Sequence, residues 1–320
     1  MNQKPETGNQ KRAMPTSLVT GGAGFIGSHL VDRLLAEGRE VRVIDNLATG
    51  REANLGAAGG RIRFVRGDIL DGGALGALCA GCDTVFHLAA LASVPRSIAA
   101  PAESDRANGA GTLSVLLAAA AAGVRRVVAA SSSSVYGNVG EGAAHEEMPP
   151  RPLSPYGVSK LATEHLLRLF DATGRVETVA LRFFNVYGPR QDPLSPYAAV
   201  IPRFIADCRA GRSPVIYGDG EQARDFTFVS DVVEALLRSA DRPAARGAVM
   251  NVAGGRPTSV RAIAGLIRAL VPGAPPPVHE PARPGEIRSS CANPARLREA
   301  LGFVPATPIA EGLRQTVAAG

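Results

Sequence analysis

The stretch SLVTGGAGFIGSHLVDRLLAEGREVRVID, residues 17–45, decides the architecture. Ser17 to Thr20 form a short apolar run that leads straight into a turn carrying Gly21, Gly24 and Gly27, with Gly22 adding a further small residue. Leu30, Val31, Leu34 and Leu35 then recur at helical spacing, and Gly38 stops the pattern. A second apolar run, 41–45, ends on the carboxylate of Asp45. The reading is strand, glycine turn, amphipathic helix, strand.

The same grammar continues outward. Apolar runs at 61–65, 83–89 and 125–132 alternate with helical segments, including a long Ala/Leu-rich one at 109–122. Strands alternating with helices predict an α/β fold built on a doubly wound parallel sheet. Past Tyr187 the chain becomes proline-rich (GPRQDPLSP, then PGAPPPVHEPARPG), with helices predicted near 197–210 and 258–271. These pieces predict a smaller C-terminal α+β lobe formed by 188–224 and 254–320. The main domain is expected over 17–187, with 225–253 returning to it, and the polar segment 1–16 reads as a disordered tail and not a signal peptide.

The chain has 320 residues, enough for one large core or two unequal lobes, and 45% of them are hydrophobic. No apolar run reaches the ~18 residues of a membrane span, so a cytoplasmic chain without membrane partners is expected. Four cysteines, at 79, 82, 208 and 291, are too few for a disulfide framework. Cys79 and Cys82 spell a CxxC, but no second ligand pair accompanies them, so they read as small apolar residues and no metal site is expected. The net charge of +6 is spread singly among acids without a basic stripe, which argues against a nucleic-acid partner. Lysine occurs only at 4, 11 and 160, so Lys160 is the single lysine of the folded part. A chain that otherwise uses arginine and keeps one compact ammonium suggests a chemical need for it.

Glycines that let a backbone approach a pyrophosphate at a helix N-terminus, followed by an acid at the end of the next strand, are the dinucleotide-binding arrangement. Here the spacing is Gly21-x-x-Gly24-x-x-Gly27, with Asp45 eighteen residues beyond Gly27. Glycine loops also serve as plain turns, but the flanking strand and helix supply the context that a lone triplet lacks. Asp45 can accept from ribose hydroxyls and would repel a 2′-phosphate, which favours NAD over NADP. Asp68 and Ile69, after the third strand, suit either an adenine contact or a turn. Tyr156 and Lys160 are four apart at the start of a predicted helix and so share one face. A tyrosine of pKa ~10 is a poor base, yet a neighbouring ammonium and an oxidised nicotinamide both favour the phenolate and are expected to lower that value.

TGGAGFIGSH around the glycines, HLAA at 87–90, SSSSVYG at 131–137, SPYGVSK at 154–160 and RFFNVYGPRQDP at 182–193 together resemble the extended short-chain dehydrogenase/reductases. Within them the chain is most similar to the UDP-hexose 4-epimerases, particularly those that accept N-acetylated sugars. The resemblance implies a Rossmann-type fold, NAD as cofactor and a UDP-sugar substrate. It implies that Tyr156 is the base toward the sugar 4-hydroxyl, that Lys160 holds the nicotinamide ribose, and that Ser132 hydrogen-bonds the 4-oxygen. For the cofactor it further implies Phe25 and Ile26 beside the glycines, Asn46 and Gly50 after Asp45, Leu88, Ala89 and Ala90 after the fourth strand, and Asn108 and Phe183. For the substrate it implies Ser93, Ser133, Ser134, Asn185, Gln191, Ala199, Val200 and Tyr217. Arg224 and Arg283 are implied at the diphosphate, Glu286 at the uridine ribose, and Ser290 as a small gate beside the sugar's 2-substituent. Arg224 and Arg283 could equally form surface ion pairs with Asp225 and Glu286.

Sibling reactions are separable on the same residues. Dehydratases and decarboxylases of this resemblance usually carry an acid just before VYG, where this chain has Ser133 and Ser134, which cannot abstract a proton as a carboxylate would. UDP-glucuronate 4-epimerases tend to have Thr at Asn185 and Arg at Asp192, and a carboxylate at 192 would repel a substrate carboxylate, so that reaction is the runner-up. A reductase using external NADPH is disfavoured by Asp45, and a binding-only protein by the joint presence of Ser132, Tyr156 and Lys160. The helices at 105–122 and 154–173 are expected to form a homodimer interface, as the family's do.

Overall fold

The computed structural model describes residues 14–140, 142–193, 199–282 and 288–319. Seven parallel strands form the central sheet: β1 (Thr16–Thr20), β2 (Glu40–Asp45), β3 (Ile62–Arg66), β4 (Thr84–His87), β5 (Arg126–Ser132), β6 (Glu177–Phe183) and, much later in the chain, β11 (Val249–Val252). Their spatial order is β3-β2-β1-β4-β5-β6-β11, so the winding reverses between β1 and β4. That is the Rossmann-type order, in which ligands settle beyond the carboxyl ends of the strands at the reversal.

Because successive strand residues face opposite sides, one strand feeds two cores. Leu18 of β1 and Val127 of β5 point to one side, where α2 (Gly72–Cys79), α5 (Gly111–Ala121) and α6 (Pro155–Ala172) bring Leu75, Leu116, Leu167 and Phe170. Val19 and Val128 point to the other, against Leu30 and Leu34 of α1 (Phe25–Ala36) and Val232 and Leu236 of α8 (Val229–Asp241). Cys79 and Cys82 lie buried in the first of these cores as apolar fill, and desolvation pushes both thiols above their ordinary range.

The outer elements are smaller. The short helices α3 (Val94–Ala99) and α4 (Pro101–Asp105) precede α5. β7 (Val186–Tyr187) pairs with β10 (Thr227–Phe228), β8 (Val215–Tyr217) with β13 (Val278–Glu280), and β9 (Ala223–Asp225) lies between β12 (Pro257–Ser259) and β14 (Ser289–Ser290). Around them α7 (Val200–Arg209), α9 (Val260–Leu270) and α11 (Ile309–Ala318) close a separate core containing Phe204, Ile216, Ile263, Ile267 and Leu313.

Several expectations are corrected. Thr16, expected in the tail, is the buried first residue of β1, and its carbonyl accepts from Asp83 N at 2.9 Å. The single helix expected over 109–122 is preceded by a π-turn at 106–110, which separates α4 from α5 and carries the buried Asn108. The C-terminal segment does not belong wholly to the outer lobe: α10 (Ala295–Leu301) sends Leu297 and Leu301 into the main core. β6 had no place in the sequence reading because its apolar run is broken by Arg182, which is itself buried against Glu164.

His87 ends β4 in the interior, at 3% exposure. Thr20 Oγ1 donates to its Nδ1 at 2.8 Å, and its Nε2 donates to Thr112 Oγ1 at 3.0 Å. The tautomer follows from Thr112, whose own proton goes to the Asn108 carbonyl at 2.6 Å. Desolvation, with Lys160 nearby, drives the imidazole pKa down to about 3. Unfolding therefore takes up a proton wherever the pH is below the ordinary 6.5, so this residue's share of stability is intact above 6.5 and is lost as the pH falls toward 3. Acid titration of thermal or urea stability is expected to show it: His87→Gln should flatten the decline between pH 6.5 and 4.5 by about 2 kcal/mol relative to wild type.

Candidate active site and dinucleotide cleft

β1 runs into the glycine turn, where Gly21 adopts φ +71° and a Cβ would sit 2.7 Å from Ala89 N, so only glycine permits β1 and β4 to end side by side. α1 starts with Gly24 as its cap, without a side-chain capping bond or an acidic residue in the first turn. Its first amides are thus available to an anion, and the helix dipole reinforces them. Asp45, at 7% exposure, accepts from Ala23 N at 3.0 Å and Leu47 N at 2.8 Å, which locks its carboxylate at the lip of this turn. Gly50 lies beneath that carboxylate, since a Cβ there would come within 2.9 Å of both its oxygens.

At the other end, Ser154 caps α6 by accepting from Gly157 N at 3.1 Å, with Pro155 in the first turn. A Cβ on Gly157 would lie 2.7 Å from the Ser134 carbonyl, so the missing side chain is what lets the helix lie against the end of β5. The Tyr156 hydroxyl thereby meets the Ser132 side chain. Lys160, at 4% exposure, donates from Nζ to the Ala130 carbonyl at 2.8 Å, and its nitrogen is 6.0 Å from the Tyr156 ring centre.

Desolvation lowers the Lys160 pKa to about 8, with Glu164 opposing it. Tyr156 keeps some exposed surface at the cleft, yet it is surrounded closely enough that desolvation pushes its pKa up, with the Ser132 hydrogen bond pulling the other way. The expectation of a lowered tyrosine pKa is therefore not met by the protein's own groups. The reason is that taking a phenolate out of water costs more than one hydroxyl hydrogen bond returns.

A cavity of about 630 Å³ runs from the glycine turn to this trio. Gly21, Gly24, Phe25, Ile26, Gly27, Asp45, Asn46, Asp68 and Ile69 line its far end, and Leu88, Ala89, Ala90 and Phe183 its middle. Ser132, Ser133, Ser134, Tyr156, Lys160, Asn185 and Ala199 close it. A second cavity of about 290 Å³ opens from it at Asn185 and Ala199 and is lined by Gln191, Val200, Tyr217 and Arg224. Asn185 sits at the junction with φ +35°, and its Nδ2 donates to the Asp225 carbonyl at 3.3 Å.

Other residues stand apart from the walls. Ser93 spends its hydroxyl capping α3, accepting from Arg96 N at 3.2 Å. Asn108 acts from behind, accepting from Leu91 N at 2.8 Å and donating to Ser159 Oγ at 3.0 Å. Ser290, half-buried, is the register partner of Arg224 but is not part of either cavity lining. Arg283 and Glu286 lie outside the described residues. Asp68 closes a turn by accepting from Leu70 N at 2.9 Å and also lines the cleft. Asp192 is paired with Arg51 at 2.8 Å, bridging the loop after Asp45 to the loop after β7, so it is no free carboxylate aimed at a substrate. Ser131, Arg203 and Gln222 line the two cavities and were missed; only the folded register brings them there.

The glycine turn, the uncapped helix start and the fixed Asp45 together suit a dinucleotide with free ribose hydroxyls. Comparison with known proteins agrees. The family model described as the NAD dependent epimerase/dehydratase family matches residues 17–253. A UDP-glucose 4-epimerase of Mycolicibacterium smegmatis is 42% identical over 305 residues, covering 94% of this chain and 97% of that one. The structure of a UDP-N-acetylglucosamine 4-epimerase from Methanobrevibacter ruminantium M1, in complex with UDP-N-acetylmuramic acid, superposes with a TM-score of 0.91 at 38% identity, over 96% and 98% of the chains. MoeE5, solved with UDP-glucuronic acid and NAD, gives 0.85 at 41%, over 95% and 98%. With its strand order, its glycine turn and its Ser-Tyr-Lys cleft, this chain belongs to the NAD-dependent epimerase/dehydratase family, and NAD is its cofactor.

Proposed function

We propose that this protein is a UDP-hexose 4-epimerase that interconverts UDP-GlcNAc and UDP-GalNAc, and UDP-Glc and UDP-Gal as well. The observation that carries the reading is the convergence of Ser132, Tyr156 and Lys160 on one end of the dinucleotide cleft, where a second cavity with arginines opens. NAD, when bound, supplies reversible hydride acceptance at the sugar C4. The first amides of α1 would hold its pyrophosphate, Asp45 a ribose, and Lys160 the ribose next to the nicotinamide.

The protein's own work is proton transfer and orientation. Ser132 holds the 4-oxygen while Tyr156 takes the 4-hydroxyl proton and gives it back once the 4-keto sugar has presented its other face. Since the protein alone keeps Tyr156 high, the phenolate depends on Lys160 together with the positive charge of the oxidised cofactor. Arg224, with Arg203 on α7, gives the second cavity the guanidinium donors that a diphosphate needs. Ser133 and Ser134 at the cleft wall offer no carboxylate for elimination, which favours epimerisation over dehydration.

UDP-glucuronate is the second reading. The Arg51 pairing of Asp192 weakens the charge argument against it, and MoeE5 was solved with that sugar nucleotide. On the surface, Leu113 and Leu117 of α5 and Val158 and Leu169 of α6 are exposed, which supports a homodimer through those helices; sedimentation should give twice the chain mass. Among the described residues no helix is long and apolar enough to cross a membrane.

Purified protein given UDP-GlcNAc without added cofactor should form UDP-GalNAc, read by chromatography; product from UDP-glucuronate alone would reverse the order of the two readings. Tyr156→Phe should lower kcat by roughly 10²–10⁴-fold while NAD content stays at the wild-type level. Ser290→Tyr should cut kcat/KM for UDP-GlcNAc at least about tenfold more than for UDP-Glc, and equal loss on both would remove Ser290 from specificity.

A further inference from the structure

On the side of the sheet that α6 covers lies a charged cluster that the proposed chemistry leaves unused. Glu164, one helical turn beyond Lys160, is 5% exposed, and Arg182 of β6 is 3% exposed. Arg182 grips the carboxylate with two donors, Nε to Oε1 at 2.8 Å and Nη2 to Oε2 at 2.7 Å. Ser131 Oγ donates to the same Oε1 at 2.5 Å. Ser131 and Arg182 are register partners on β5 and β6, and Arg182 stands beside Asn251 of β11. The guanidinium also lies 4.6 Å from the Tyr136 ring centre, and the Tyr136 hydroxyl donates to Asn251 Oδ1 at 2.7 Å.

A buried ion pair is a poor device for stability alone, because desolving two charges offsets their attraction and apolar residues of equal volume would serve a fold as well. What distinguishes this one is what it holds. Ser131 immediately precedes Ser132, and Glu164 rides on the helix that carries Tyr156 and Lys160. Together with the Lys160 bond to the Ala130 carbonyl, the Ser131–Glu164 bond ties the end of β5 to α6.

We infer that Glu164 is a positioning residue for the base: it holds Ser131 to α6, braced by Arg182, and so sets the separation of the Ser132 and Tyr156 hydroxyls. The inference rests on reading Tyr156 as the base. Tyr156 is faced by Lys160 from its own helix and by Ser132 from the end of β5, while Glu164 acts on Lys160 and Lys160 in turn on His87 of β4. Since the Ser132 hydrogen bond pulls the phenol pKa down against burial, loosening Ser132 should let that value rise.

Ser131→Ala removes the tether and leaves the ion pair whole. In NAD-loaded protein, tyrosinate absorbance, taken as the difference between each protein and its Tyr156→Phe counterpart, reads Tyr156 without any sugar present. Ser131→Ala is expected to raise that titration by about one unit and to lower kcat about tenfold, with KM within about twofold and NAD content unchanged. Glu164→Gln would keep an acceptor for Ser131 and leave a buried guanidinium without its counter-charge, so Glu164→Leu/Arg182→Met, which removes acceptor and charge together, is the second variant; it should fold and show the same Tyr156 shift. An unshifted Tyr156 in both folded variants, or a kcat loss that merely follows thermal midpoint or NAD content, overturns the inference. A shifted Tyr156 in a protein that turns over none of the tested UDP-sugars would support it and sink the substrate reading instead.

Discussion

The structure depends on one close approach, the packing of the first turn of α6 against the end of β5. Gly157 has no side chain to hold them apart, and the Ser134 carbonyl occupies the space a Cβ would need. Everything chemical follows from that contact. It brings a phenol to a serine, places an ammonium one turn deeper, and leaves the open end of the sheet free for a dinucleotide arriving from the β1 side.

The two halves of the cleft are built on opposite electrostatic terms. At the glycine turn the protein offers backbone amides and one fixed carboxylate, groups that need no adjustment when a ligand arrives. Around Tyr156 and Lys160 desolvation raises one pKa and lowers the other, so each group is pushed toward its neutral form. On the reading proposed above, the site holds its base in reserve: the phenolate forms only when further positive charge enters the cleft. Under that proposal, proton abstraction is coupled to the oxidised state of the cofactor.

Much of this was legible in the chain, and the reasons differ by element. The β1-α1-β2 unit announces itself because its signals are local: apolar runs, glycine spacing and a terminal acid lie within thirty residues. Tyr156 and Lys160 are legible because helical periodicity alone puts them on one face. β6 was not, since its Arg182 is polar by composition and buried only through Glu164, a partner eighteen residues away in sequence. The Arg51–Asp192 bridge and the return of Leu297 and Leu301 to the main core were likewise invisible, because each depends on a juxtaposition of distant segments that no local pattern encodes. Ser93 carries a second duty that no local pattern announces, because its hydroxyl caps α3 by accepting from Arg96 N.

The scarcity of lysine has a practical side. Of the chain's three primary-amine side chains, two fall within its first eleven residues and the third is Lys160, at 4% exposure under the cleft. The described surface is thus blind to acylating and imine-forming reagents. Within the described residues such a reagent reaches an amine side chain only at Lys160, through the cleft mouth. Slow labelling at that one position becomes a direct gauge of how well the cleft is guarded.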